Sequence, residues 1–176
     1  TVLKVAHDGF EAKEMTVSVA TATAGAVLDA VALELPSLKL AGAKLPGLSA
    51  PGLDFCDVDL SDADLRGANL AGARLRRALL RGADLTGANL TGADLSDAVL
   101  AGADLRDAVL EGALLDRAEL CGALMRALDL RKTSLGGANL ARAQLELSQL
   151  EGQDLRRVTL TEAGLAHAHL AGAQLK

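Results

Sequence analysis

Tryptophan and tyrosine are absent from this chain of 176 residues, and phenylalanine occurs only at Phe10 and Phe55. Without aromatic rings there is no platform on which bases or sugars stack, and a net charge of −5 opposes a phosphate backbone. No nucleic-acid binding is expected. Long apolar runs are missing as well, although 50% of the residues are hydrophobic. Polar residues or glycine interrupt every stretch well before the roughly 18 residues that a membrane-spanning helix needs, so no membrane partner is expected. The N-terminus has no basic start followed by an apolar run and a cleavage site, so no secretory signal is read there. Cysteine is limited to Cys56 and Cys121. Two thiols suit a reducing compartment, and a cytoplasmic location is the expectation.

What the chain has instead is repetition. Residues 81–100, "RGADLTGANLTGADLSDAVL", say one five-letter phrase four times. Leucine stands at every position divisible by five from Leu60 to Leu175, with Met125 the sole substitute. Two positions before it a small residue recurs (Ala63, Ala68, Ala73), and Asp or Asn often lies between them (Asp84, Asn89, Asp94). A helix of 3.6 residues per turn would smear this leucine row around its circumference, and a strand of period two would flip alternate leucines to the opposite face. The pattern requires a chain that bends after each short extended piece. Leucine and the small residue then point inward, and the other three positions point out. The bend falls on the last two positions, where glycine is frequent (Gly67, Gly72, Gly82).

The A-(D/N)-L-x-x phrase resembles the pentapeptide-repeat family. The resemblance is close over residues 58–175 and looser over 33–57, where the phrase drifts ("LELPS", "AKLPG", "LDFCD") and Ala50 and Phe55 take the central position. It implies an all-β fold, a right-handed quadrilateral parallel β-helix. Twenty residues then make one square coil, and residues 33–176 make about seven coils, or a rod of roughly 35 Å at the parallel-ladder spacing. Residues 1–32 do not obey the repeat. "TVSVATATA" alternates like a strand, and Val27, Val31 and Leu35 have helical spacing. They are read as an N-terminal cap over the first coil, because an uncovered coil exposes both core and ladder edge.

Catalytic chemistry is sparse in the sequence. His167 and His169 fall at outward positions without a nearby third ligand, Cys56 and Cys121 are about three coils apart, and no Ser, Cys, His and carboxylate set converges. No enzyme, metal or cofactor is expected. Function is therefore sought in the outward columns, where residues twenty apart lie one above the other. Asp54, Arg74 and Asp94 alternate in sign, as do Asp57, Arg77, Asp97 and Arg117, and Glu111, Arg131 and Glu151. Such ladders are expected to hold register, since a slipped coil would oppose like charges. Asp64, Asp84 and Asp104 stack without alternation beside the outward aliphatics Leu79 and Val99. These five residues are the candidate partner surface, suited on charge to a basic protein. The repeat runs undiminished to "LAGAQLK", so Leu160, Leu165, Leu170 and Leu175 are expected to form an open edge, covered by a further length of chain or by a second copy in a homodimer.

Two functions follow as expectations. The first is a non-catalytic scaffold or protein–protein interaction module whose partner is unknown. The alternative comes from the resemblance, which includes a quinolone-resistance branch of DNA-mimicking proteins that occupy type II topoisomerases such as gyrase. The interleaved arginines, the lack of loop insertions and the lack of an aromatic dimerisation segment favour the first.

Overall fold

The computed structural model describes residues 40–175. The expected N-terminal cap and the repeats before residue 40 lie outside the described residues. Within them, parallel pairing joins residues twenty apart, from Lys44↔Asp64 and Asn69↔Asn89 to Asp154↔Gln174. Four pentads therefore complete one turn of the chain, and each of the four sides is a stack of very short strands.

Two kinds of hydrogen bond build this shape from each pentad. A bend is closed locally when the small residue donates back to the preceding central residue, as Ala93 N does to Leu90 O at 3.0 Å. The rungs between coils follow on either side of the central residue: Asn89 N donates to Ala68 O and Leu90 N to Val109 O, both at 2.8 Å. Backbone polar groups that a leucine-filled interior could not solvate are thereby paired. From Leu60 to Leu155 every central residue is at most 3% exposed. Each such leucine contributes about 1.5–3 kcal/mol by burial, so the core gains its stability from repetition.

Turn chemistry explains the glycines. Gly92 has φ +64°, and the second bend position is left-handed at every pentad from 42 to 172 except at Lys132 and Arg157. Glycine adopts this geometry without a Cβ penalty. Asp57, Arg77, Asp97 and Arg117 adopt it as well, at φ 57–62°. What they gain is each other: Arg77 Nη2 lies 2.5 Å from Asp57 Oδ2, and Arg117 Nε 2.7 Å from Asp97 Oδ1. The alternating column expected from the sequence is thus realised, at sites where a side chain is conformationally unfavourable.

The small inward position has a direction as well as a size. Thr133 Oγ1 donates to Leu110 O and Ser148 Oγ to Met125 O, both at 2.9 Å, and Gln153 Nε2 donates to Leu130 O at 2.7 Å. All three reach back to the central carbonyl of the preceding coil. Leu128 occupies the same position with a bulkier, apolar side chain. There the ladder parts. Among the described residues, the rungs Asp129 N to Ala108 O and Leu110 N to Asp129 O are not made, and Ala108 is 8% exposed where most other inward alanines are at 0%. Beyond the break, Gly112 N bonds Lys132 O at 3.1 Å, one residue past the usual partner. A groove of about 500 Å³ opens at this point, lined by Ala108, Val109, Leu110, Glu111, Asp129, Arg131 and Lys132.

Candidate interaction surface

The residue before each central position decides what the surface offers. Where it is Asp or Asn, its side-chain oxygen accepts the amide two residues on: Asp94 Oδ1 takes Ser96 N at 3.0 Å, and Asn89 Oδ1 takes Thr91 N at 3.1 Å. This Asx bond fastens the bend, so the acidic columns are in the first place turn chemistry. Four pentads add an arginine at the position of that amide. Arg66 Nη2 is 2.6 Å from Asp64, Arg106 Nη2 2.5 Å from Asp104, and Arg131 and Arg156 each 2.7 Å from Asp129 and Asp154. Each is a guanidinium bonded through two nitrogens to a carboxylate of its own pentad.

The five candidate partner residues can now be placed. Asp64, Asp84 and Asp104 do stack, joined by direct pairing from coil to coil, and Leu79 pairs with Val99 on the adjacent face. Leu79 is 37% exposed and Val99 half-buried. The carboxylates are already engaged: Asp64 and Asp104 by Arg66 and Arg106, and Asp84 by the Thr86 hydroxyl at 2.5 Å with Arg66 Nε 3.6 Å away. In the expected edge, Leu160, Leu165 and Leu170 are half-buried and Leu175 is 54% exposed.

One charge ladder differs from expectation. Glu111 pairs with Lys132 at 2.7 Å, while Arg131 turns to Asp129. The rungs part at Leu128–Asp129, and at the bend that follows Gly112 N bonds Lys132 O, which places Lys132 opposite Glu111 in place of Arg131; the usual register returns at Ser134 N–Ala113 O. Glu151, the third member, has His169 Nδ1 3.4 Å from its Oε1. Cys56 and Cys121 are free and half-buried, and burial raises the Cys56 thiol above its ordinary pKa, with Asp54 adding to the effect. Sequence reading did not find the outward aliphatics Val109 and Leu114, at 48% and 41% exposed. Their signal was available, because each interrupts the Asp/Asn position of its pentad.

The paired carboxylates titrate low. Arg131 holds Asp129 at about 2, and Arg156 holds Asp154 at about 2. Asp57, Asp64, Asp97 and Asp104 are likewise lowered, each first by its arginine hydrogen bond. A carboxylate whose folded pKa lies below its unfolded value of about 3.9 stabilises the fold fully above that value and loses the contribution as pH falls through the folded pKa. The melting temperature is therefore expected to hold down to about pH 4 and to decline between about pH 4 and 2. Because these pairs are solvent-exposed, high salt should flatten that decline, as thermal melts across pH at two ionic strengths would show.

The chain also stands in a recognisable company. The family model for pentapeptide repeats matches with 8 copies, over residues 39–77, 59–97, 103–142 and 122–161. Among solved structures, the pentapeptide-repeat protein Rfr23 from the cyanobacterium Cyanothece 51142 is 27% identical, covering 77% of this chain and 86% of its own, with a TM-score of 0.49. The pentapeptide-repeat protein alr5209 from Nostoc PCC 7120 is 30% identical over 70% of this chain and 84% of its own, with a TM-score of 0.42. QnrB1, a plasmid-mediated fluoroquinolone resistance protein, is 19% identical over 78% of this chain and 84% of its own, with a TM-score of 0.31. No curated protein matches. A twenty-residue coil, a leucine at the centre of each pentad and a family model matching most of the described length lead to one conclusion: this chain belongs to the pentapeptide-repeat family.

Proposed function

We propose that this protein is a non-catalytic interaction module, a right-handed rod of about seven coils that holds a protein partner against its outward faces. The observation that supports this is how the outward polar groups are used. Most of the Asp and Asn side chains before the central residues fasten bends, and most arginines beside them neutralise those acids. Chemistry is consumed by structure, and the departures from the pattern, notably Leu79, Val99, Val109 and Leu114, provide a surface able to distinguish one partner from another. Fold membership alone does not assign such a role.

Mimicry of DNA requires a field of uncompensated negative charge, and the arginine pairs on Asp64 and Asp104 work against it. A displayed library of random peptides, panned on the immobilised protein and competed with soluble protein, is expected to yield specific ligands, and DNA gyrase supercoiling at micromolar concentrations of the protein is expected to proceed unimpeded. An empty library would overturn the module reading. Strong inhibition of supercoiling, lost when Asp64, Asp84 and Asp104 are neutralised together, would replace it by DNA mimicry.

A further inference from the structure

The parted ladder between the coils of Leu110 and Leu130 is an opening with fixed ends. On one side Leu105 N bonds Leu124 O at 2.9 Å, and on the other Thr133 Oγ1 bonds Leu110 O at 2.9 Å and Gly112 N bonds Lys132 O at 3.1 Å. Between these ends lies the groove of about 500 Å³, with Val109, 48% exposed, in its wall. Four backbone groups of the lining residues make no hydrogen bond among the described residues: the donors Leu110 N and Asp129 N and the acceptors Ala108 O and Asp129 O. Ala108 and Leu110 are buried, and buried backbone groups are ordinarily paired. The four charged side chains of the lining pair with one another, Glu111 with Lys132 and Arg131 with Asp129, so neither sign is left in excess among them.

A second parting shows what the chain itself places in such an opening. On the next side of the rod, among the described residues, the rungs Asp154 N to Thr133 O and Leu135 N to Asp154 O are not made either. There the inward position carries Gln153, whose Nε2 donates to Leu130 O at 2.7 Å and to Arg131 O and Thr133 O at 3.1 Å. Thr133 O, which lacks Asp154 N, thus regains a donor. Ala108 O is its counterpart in the first opening, where the inward residue is Leu128 and brings no polar atom. Resting on the module reading above, we propose that this groove receives the carboxamide of an asparagine or glutamine side chain from the protein partner. A carboxamide has two N–H donors and an oxygen with two lone pairs, the complement of two carbonyls and two amides. A carboxylate has no donor for Ala108 O and Asp129 O, an ammonium or guanidinium has no acceptor for Leu110 N and Asp129 N, and a hydroxyl has a single donor. A charged group would also meet a lining whose own charges are already paired. Val109 offers an apolar wall to the methylene stem.

The test titrates the isotope-labelled full chain with the acetylated peptides Ala-Ala-Gln-Ala-Ala, Ala-Ala-Glu-Ala-Ala and Ala-Ala-Met-Ala-Ala at millimolar concentrations and follows the backbone amide resonances. The glutamine peptide is expected to shift Leu110 and Asp129 saturably and to bind about tenfold more tightly than the other two, because glutamate lacks the donors and methionine lacks donors and carbonyl alike. Leu128→Ala removes the side chain beside which the rungs part. It should slow exchange of the Leu110 and Asp129 amides and weaken the glutamine peptide about tenfold or more. Val109→Glu changes only the exposed wall and should weaken that peptide several-fold, and melting curves verify that both variants are folded. Equal binding of the three peptides, no shift at Leu110 and Asp129, or glutamine binding that survives either Val109→Glu or a Leu128→Ala variant whose slowed exchange shows closed rungs would overturn this assignment. The displayed library separates that failure from failure of the module reading: specific ligands that need neither asparagine nor glutamine sink the groove alone, whereas an empty library sinks both.

Discussion

Replacing Leu90 by aspartate is expected to unfold the middle of the rod, with a loss of about 4 kcal/mol or more. Leu90 is fully buried, and the other central residues of its coil and the coils on either side are also leucine with no polar group to receive a carboxylate. The charge would have to be buried unpaired or the coil would have to open, and the rungs Leu90 N–Val109 O and Asn89 N–Ala68 O would be lost with it. One residue further on, Thr91 lies at the exposed bend, and Thr91→Asp is expected to change stability by less than about 0.5 kcal/mol. Thermal or denaturant melts of the two variants measure the contrast. Equal effects would mean that the inward and outward positions have been assigned to the wrong residues.

Ala93→Leu is expected to cost about 1–3 kcal/mol and to do so by a visible route. Side chains at this position lean toward the preceding coil, as the hydrogen bonds of Thr133, Ser148 and Gln153 establish, and Ala93 has no free surface into which extra atoms could move. Leu128 shows what a leucine does there: the rungs to Ala108 and from Leu110 are lost. A leucine at this position in an unbroken stretch should open the rungs Asp94 N–Ala73 O and Leu75 N–Asp94 O. Hydrogen exchange reads this directly. In the parent protein the amides of Leu110 and Asp129 should exchange much faster than those of Leu75 and Asp94, and Ala93→Leu should bring the second pair toward the first. Protection of Leu75 and Asp94 that survives the substitution would show that the wall yields elsewhere.

Much of this molecule could be read from the order of its residues. A strict period of five, with leucine at its centre and alanine two places before, calls for a solenoid whose leucines share an interior, and the buried column from Leu60 to Leu155 is that interior. The stacking of Asp64 on Asp84 on Asp104, and of Leu79 on Val99, followed from the twenty-residue coil that the family resemblance implies. The charge columns were legible only in part. Asp57 and Arg77 pair across coils as their spacing suggests, yet Arg131 takes Asp129 and leaves Glu111 to Lys132.

The sequence by itself thus determined which side of the wall each residue occupies, because period fixes direction and direction separates core from solvent. Only the tertiary structure decided which charges meet. Arg131 at its bend has two carboxylates to choose between, Asp129 in its own pentad and Glu111 a coil away at about 4.8 Å, and the choice depends on the local course of the backbone. At Leu128 that course is altered by a side chain too large for the space beside the preceding coil. Packing, a property of neighbours distant in sequence, parts the rung there, and beside it Lys132 stands against Glu111 and the groove opens.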